Sequence, residues 1–289
     1  MIQFGTDKTK PLVRKMWQSV FGDSNEFADL YFSQKYKNEN TLIYFEGDKP
    51  AASLQMWEYN FSFYKQQVPI YYLAGLATYP DFRRKGYMSQ LMTEAHQIMK
   101  ERGVIFSILI PAEEWLYTFY RQFGYSQVFE QDDEIIPLKK ILDRQSSLEK
   151  SFEMFERIYN KPDFTVLKNF EQFKTIVEEQ QLTEFEEKHN LDAIARVVNL
   201  REALKIFAKN NPSKHFTMKV TGDTHIAANN TYYTLEEGVV STFGYAVADF
   251  NFDITEICEL LMGKHNEEFS MKIINKFPKH HPTINLMLE

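Results

Sequence analysis

The stretch Gly75-Leu-Ala-Thr-Tyr-Pro-Asp-Phe-Arg-Arg-Lys-Gly-Tyr-Met88 changes character three times within one short run. An apolar extended segment stops at Pro80, a basic turn follows at Arg83, Arg84 and Lys85, and Gly86 opens a segment where Met88, Leu91, Met92, Ala95 and Met99 recur at helical spacing. A strand that ends in a basic loop at the head of a helix suits a pyrophosphate. The first amides of a helix are donors without partners and carry partial positive charge, and a glycine there lets phosphate oxygens approach the main chain. It is not a Walker loop, because no Gly-Lys-Ser/Thr follows. Taken alone, the turn reads as a solvated basic loop, and its context reverses that reading.

Upstream, apolar spacing predicts helices over Pro11 to Gly22 and Asn25 to Lys37. Strands are expected at Thr41 to Phe45, Pro50 to Tyr59 and Ile70 to Thr78, the first two joined by the turn Gly47-Asp48-Lys49. Downstream come a strand from Val104 to Ile110, a helix from Glu113 to Phe123 ended by Gly124, and a strand from Tyr125 to Phe129. Past Lys140 the texture turns to charged, glycine-free helical spacing. Beyond Asn190, Ala193 to Val198 reads as a strand and Leu200, Ala203, Leu204 and Phe207 as a helical stripe. Short alternating runs from Phe216 to Phe252 suggest an antiparallel sheet. Asp253-Ile-Thr-Glu256 reads as a capping box whose helix closes at Gly263, and a last helix is expected over Glu267 to Phe277. The expected fold class is α+β, divided into residues 1–138, a helical connector 139–190 and a C-terminal unit 191–289.

The chain has 289 residues, and 44% hydrophobic with 25% charged usage is that of a globular protein able to form a core. Its net charge, 33 minus 40, is −7, which disfavours broad contact with nucleic acid or anionic membrane. Any anion site must therefore be local. The single cysteine, Cys258, offers no internal disulfide and no cysteine-rich metal site, so the expected location is a reducing cytoplasm, and Cys258 itself reads as a buried small hydrophobe. No run suits a signal peptide or a membrane helix.

The quoted stretch resembles the acetyl-CoA motif of the GNAT acetyltransferases, a strand followed by Arg/Gln-x-x-Gly-x-Gly/Ala at a helix head: Arg83-x-x-Gly86-x-Met88 is similar, with Met88 in place of the small residue. Phe119-Tyr120-Arg-Gln-Phe-Gly124-Tyr125 resembles the Tyr-x-x-x-Gly-Phe/Tyr signature that follows the family's next strand. Ala195-Arg-Val-Val, Phe216-Thr-Met-Lys-Val-Thr, Asn229-Asn230-Thr-Tyr and the segment Asp253 to Gly263 resemble the sterol-carrier-like domain of the Eis-like branch. The resemblance implies N-acetyl transfer from acetyl-CoA, without a metal, to a primary amine of a small molecule. Polyamines and aminoglycoside-like amines are acceptors an acidic protein would attract. It places Leu76, Ala77 and Thr78 along the pantetheine arm, and Arg83, Arg84, Lys85, Gly86, Tyr87 and Met88 at the phosphates.

Such chemistry needs a positioned amine, a polarised thioester carbonyl and a proton for the departing sulfur. Tyr120 matches the family's general-acid tyrosine, since a phenol of ordinary pKa about 10 is protonated at neutral pH; the alternative is that it packs with Phe119 and Phe123. Tyr125 reads as packing. By the same resemblance the α-carboxylate of Glu289 is the candidate base, with Glu113 and Glu114 as alternatives. Trp57, Tyr59, Phe61 and Phe63 share one strand face and either wall an acceptor pocket or fill the core. His280 and His281 read as a solvated tail. Homo-oligomer formation is left open. The rival function is a non-catalytic protein that senses acetyl-CoA or holds an apolar ligand.

Overall fold

In the computed structural model, which describes residues 1–129, 136–160, 162–185 and 192–285, one sheet runs through most of the chain. The chain opens with β1 (Ile2–Phe4), α1 (Lys10–Phe21), α2 (Asn25–Gln34), β2 (Thr41–Glu46), β3 (Lys49–Phe63) and β4 (Gln66–Thr78). There follow α3 (Tyr87–Glu101), β5 (Phe106–Leu109), α4 (Trp115–Arg121) and β6 (Ser126–Gln127). The middle segment contains α5 (Leu138–Asp143), α6 (Leu148–Phe155) running into a π-helical turn, β7 (Val166–Leu167) and α7 (Phe170–Leu182). The last third comprises β8 (Ile194–Val197), α8 (Leu200–Asn210), β9 (Phe216–Thr221), β10 (Tyr232–Glu236), β11 (Val239–Phe243), β12 (Phe250–Asp253), α9 (Ile254–Leu261) and α10 (Met271–Ile274).

The larger sheet has the order β1-β2-β3-β4-β5-β8-β6, with β7 also pairing β3. The fold is therefore α+β with mixed sheets flanked by helices. Its first half follows the sequence pattern closely. The strands of the β3–β4 hairpin run further than expected, to Phe63 and from Gln66, because a tight turn with Tyr64 and Lys65 at positive φ lets the ladder continue to Phe63↔Gln66. Strands β1 and β7 went unread, since three and two residues are too short for alternation to register. The C-terminal sheet, β11-β10-β9-β12, is antiparallel except at its end: β12 returns on the far side of β9 and runs parallel to it. Residues 267–277, expected as one helix, form the short α10 between turns. The capping box at Asp253 and Glu256 is present.

Strand β8, from the last third, lies between β5 and β6 and is antiparallel to both, from Phe106↔Val197 to Leu109↔Ile194 and at Ser126↔Ala195. One apolar cluster extends from Val13 and Trp17 through Phe61, Phe63, Phe106 and Phe129 to Leu200, Phe207 and Phe277. A second packs α3 and α4 on the opposite face, around Leu54, Leu73, Leu91, Met92 and Tyr120. Each fully buried Leu or Met there contributes about 1.5–3 kcal/mol. Trp57 and Tyr59 are buried beside α2, whereas Phe61 and Phe63 lie in the aromatic block with Phe106 and Phe164. The tail histidine His280 is not solvated: its ring stacks on Phe164 at 3.7 Å, because the chain after α10 folds back over Gly263. Cys258 is buried in α9, and burial holds its thiol up at about 12.

Arg196 of β8 has no exposed side-chain surface. Its Nη2 donates to Asp223 Oδ2 at 2.7 Å, and its Nη1 to the carbonyl of Phe123 at 2.7 Å and to His96 Nδ1 at 3.2 Å. A guanidinium can only donate, so His96 carries its proton on Nε2, which faces the Tyr125 hydroxyl at 3.0 Å. His225 Nδ1, 3.0 Å from the same His96 nitrogen, is then the protonated one. Burial and the Arg196 charge hold both imidazoles neutral, His96 well below its ordinary pKa and His225 down to about 4. Tyr125 completes the chain with Ser107 Oγ at 2.6 Å. Replacing Arg196 with Met strands a buried carboxylate and should remove about 3–5 kcal/mol of stability in urea unfolding. Adding Asp223→Asn removes the charge but keeps an oxygen for the amides of His225 and Ile226, so it should recover a substantial part; equal losses for the single and double variants would show that the pair is not what holds this region.

Candidate active site

Strand β4 pairs with β3 along almost its whole length but with β5 only from Ile70↔Phe106 to Tyr72↔Ile108. Past Tyr72 the two parallel strands part, and residues 73–78 of β4 have no strand on that side. An open strand edge inside a folded protein is a row of hydrogen-bonding groups ready for an amide-containing ligand. The other edge is distorted. Ser53 opposes Ala77 and Gln55 opposes Ala74, so Gly75 and Leu76 together face Leu54 in a bulge. Gly75 sits at φ +59, where a Cβ would lie 2.3 Å from the Trp17 ring, so only glycine lets the indole close over the bulge.

The open edge leads into the basic loop. After the single turn Pro80–Phe82, Arg84 (φ +62) and Gly86 (φ +75) both take the left-handed conformation, and α3 starts without any side-chain cap. No acceptor within the described protein takes the amides of residues 84–89; the first helical bond is Gln90 N–H to Gly86 C=O. A Cβ on Gly86 would meet nothing within 4 Å, so the space over this helix head is free. The three cations differ. Arg84 makes no ion pair or hydrogen bond with the described residues, Arg83 donates from Nε to the Thr78 carbonyl at 3.2 Å, and Lys85 pairs with Glu46 at 3.1 Å. The Tyr87 hydroxyl and Lys85 hold the Glu46 carboxyl below its ordinary range. Tyr87 stacks on Tyr44 at 4.1 Å, which fixes the first turn of α3 to β2. Leu76, Thr78, Tyr87 and Met88 are half-buried and Ala77 is buried, so the expected cofactor residues form one continuous path from the bulge to the helix head.

Tyr120, on α4, belongs to the same apolar cluster as Leu73, Leu76 and Met88. It is 5% exposed, its ring lies 5.2 Å from Phe119 and 5.9 Å from Tyr125, and its hydroxyl takes no hydrogen bond from the described residues. Burial raises its pKa above the ordinary phenol value. Glu113 and Glu114 are exposed before α4, and Glu113 accepts from the Trp115 indole at 2.8 Å. Glu289 lies outside the described residues. Among the described residues no three metal-binding side chains gather.

Two buried polar atoms near the bulge escaped the sequence reading. Gln55 Nε2 and the Tyr31 hydroxyl have no hydrogen-bond partner among the described residues, although each residue is 1% exposed. The Gln55 amide nitrogen lies 3.4 Å from a Cβ built on Gly75, and Tyr31 packs on Trp17 and Trp57. Orphan buried donors are unusual and mark places where a ligand or water completes the bonding. The Tyr125 network was missed as well: spacing showed an aromatic at a packing position but not its two polar partners, His96 and Ser107, on other segments.

A model of the acetyltransferase (GNAT) domain matches residues 2–128. No curated protein matches the chain. Solved structures similar over nearly the full length include a probable N-acyltransferase from Enterococcus faecalis, 13% identical, TM-score 0.73, with 98% of both chains covered. A GCN5-related N-acetyltransferase from Anabaena variabilis is 12% identical, TM-score 0.69, again with 98% of both chains covered. Eis1 from Mycobacterium abscessus is 12% identical with a TM-score of 0.64 over 98% of both chains. At such identities these likenesses speak for the fold, whereas the domain match speaks for the N-terminal part directly. The chain thus carries a GNAT acetyltransferase domain at residues 2–128, within a fold that these N-acyltransferase structures share from end to end.

Proposed function

We propose that the chain transfers the acetyl group of acetyl-CoA to a primary amine of a small molecule by direct attack on the thioester. The observation that carries this reading is the continuous path described above, from an open, bulged strand edge to a helix head whose amides and Arg84 are free. Residues 83–88 would hold the pyrophosphate: main-chain N–H groups supply the geometry, and Arg84, with no competing partner, supplies the charge. Lys85 must share itself with Glu46. Leu76, Ala77 and Thr78 would take the pantetheine amides as an added strand takes its neighbour, leaving the thioester carbonyl near the bulge, where a main-chain amide polarises it.

In the reaction the amine lone pair bonds to the carbonyl carbon, the carbon–sulfur bond breaks with its electron pair going to sulfur, and the amine nitrogen gives up a proton. Tyr120 supplies the proton that sulfur needs. Its raised pKa keeps it un-ionised from neutral pH to beyond the usual phenol range, so it remains a donor throughout. The net charge of −7 favours cationic acceptors such as polyamines or aminoglycoside-like amines. The sterol-carrier-like reading of residues 191–289 is supported by the four-stranded sheet and its helices α8 and α9. Tyr120's enclosure between Phe119 and Tyr125 favours the second reading, an acetyl-CoA-binding protein without turnover.

Tyr120→Phe separates the two. It keeps the ring but removes the proton, so thiol release with an amine panel should fall by roughly ten- to ten-thousand-fold with acetyl-CoA affinity unchanged. Unchanged turnover would make Tyr120 a packing residue. No turnover by the parent chain on any amine, with acetyl-CoA still bound, would establish the sensor. Gly86→Val should abolish most acetyl-CoA affinity in calorimetry, since a β-branched residue at φ +75 both strains the helix head and covers its amides. Binding at parental strength would remove the loop from the site. Deleting Glu289 should lower turnover severely if its carboxylate is the base; full activity would return that role to water or an internal acid.

A further inference from the structure

A cleft of about 750 Å³ takes no part in the site above. It lies where β3 runs between α2 and α7. Pairing of β3 with β2 ends at Thr41↔Gln55, and pairing with β7 begins at Asn60↔Leu167. Between them, no strand of the described residues covers the outer edge of β3 at residues 57–59. Ser62 uses that edge, donating to Thr165 C=O at 2.9 Å and accepting from Phe164 N–H at 2.8 Å. By the two-residue period of a strand, the main-chain groups of Glu58 and Met56 point the same way. The Gln172 side chain reaches this edge and donates to the Glu58 carbonyl at 2.9 Å.

Lys35, at the end of α2, lines this cleft. Its ammonium lies 5.7 Å from the ring centre of Trp57 and 5.0 Å from that of Tyr59, and it donates to the Tyr59 hydroxyl at 3.0 Å. That is its single hydrogen bond, and no carboxylate pairs with it among the described residues. The other cations here are engaged: Lys37 with the Glu58 carboxylate, Arg102 with Asn40 Oδ1 and the Glu39 carbonyl, and Lys168 with the carbonyls of Val166 and Ile284. Burial, reinforced by the like charge of Lys37, brings Lys35 down to about 8, so it is still mainly cationic at neutral pH. A largely desolvated cation without a counter-charge, beside a gap in a sheet, is a site short of one anion and one strand.

We propose that the cleft binds a short peptide with a free carboxylate, its main chain pairing with β3 beside Glu58 and its carboxylate on Lys35. This is edge-strand addition with a charge anchor. The site is separate from the thioester path. Glu58 pairs with Tyr71 and the bulge is at Gly75, four residues further along β4, which is roughly 13 Å at about 3.3 Å per residue. Its far wall comes from Asn160, Asn169 and Gln172 of the middle segment, so it exists only where that segment docks on the acetyltransferase domain.

The test is calorimetric titration of the full chain with N-acetyl-trialanine as the free acid and as the C-terminal amide. The acid should bind at least tenfold more tightly than the amide. Lys35→Gln should reduce the acid to the level of the amide, Lys35→Arg should restore most of the difference, and acetyl-CoA affinity should be the same in all three chains. Equal binding of acid and amide, binding of neither, or full acid affinity in Lys35→Gln would each overturn the proposal. The acid–amide comparison needs no variant, so it holds even if a substitution at Lys35 unfolds α2, and a failure leaves the acetyl-transfer reading untouched.

Discussion

The guanidinium of Arg196 is fully charged and wholly removed from water, and the surrounding architecture is the set of conditions under which that is tolerable. Isolated burial of such a group costs several kcal/mol, offset here by one carboxylate, one carbonyl and one imidazole nitrogen arranged at its donors. Each acceptor comes from a different part of the chain: Asp223 after β9, Phe123 at the end of α4, His96 on α3. A guanidinium cannot give up its proton to relieve the strain, so the three segments must meet. The helix that carries Tyr120 is held at its C-terminal end by this contact, and the apolar layers on either face of the sheet close around it.

The sheet itself is shaped by a second constraint, the divergence of β4 from β5 after Tyr72. A parallel pair that stops after three rungs leaves polar main chain exposed within the fold, and natural structures seldom leave it so without a use. Here the exposed edge, the bulge at Gly75 and the left-handed residues Arg84 and Gly86 follow one another along a single strand and loop. An open edge, a bulge and left-handed backbone thus fall together in the segment that would meet a cofactor.

That concentration explains what could be read in advance. Apolar runs bounded by turn residues locate β2 to β5, and three-four spacing locates the helices that bury one face. Pro80, Gly86, Gly103 and Gly124 mark breaks through local backbone chemistry alone. The basic loop was legible for the same reason: its function depends on residues adjacent in sequence. The relations that sequence order hides are those made across it. Nothing local to Ile194-Ala-Arg-Val197 says that this strand lies between two strands from the first half, and nothing near His96 announces His225. Likewise only the packed structure shows that Tyr31 and Gln55 are buried with polar atoms that find no partner among the described residues. His280 looked like tail for want of any signal from Phe164, more than a hundred residues earlier.

The place of β8 also bears on the order in which the molecule can be made. Strand β6, two residues long, has β8 as its sheet neighbour, and β5 has β8 on its outer side. A growing chain that has emitted everything through Gln127 still lacks the strand that separates those two, and it must hold an uncovered edge until Val197 has left the ribosome. The late strand arrives bearing Arg196, whose acceptors on α3 and α4 are already synthesised, while Asp223 is still to come. Completion of the acetyltransferase sheet is therefore a long-range closure, with the entropic cost and slow rate that distant pairing entails. During that interval the aromatic block around Phe106 and Phe129 still lacks Leu200, Phe207 and Phe277, the later members of its cluster.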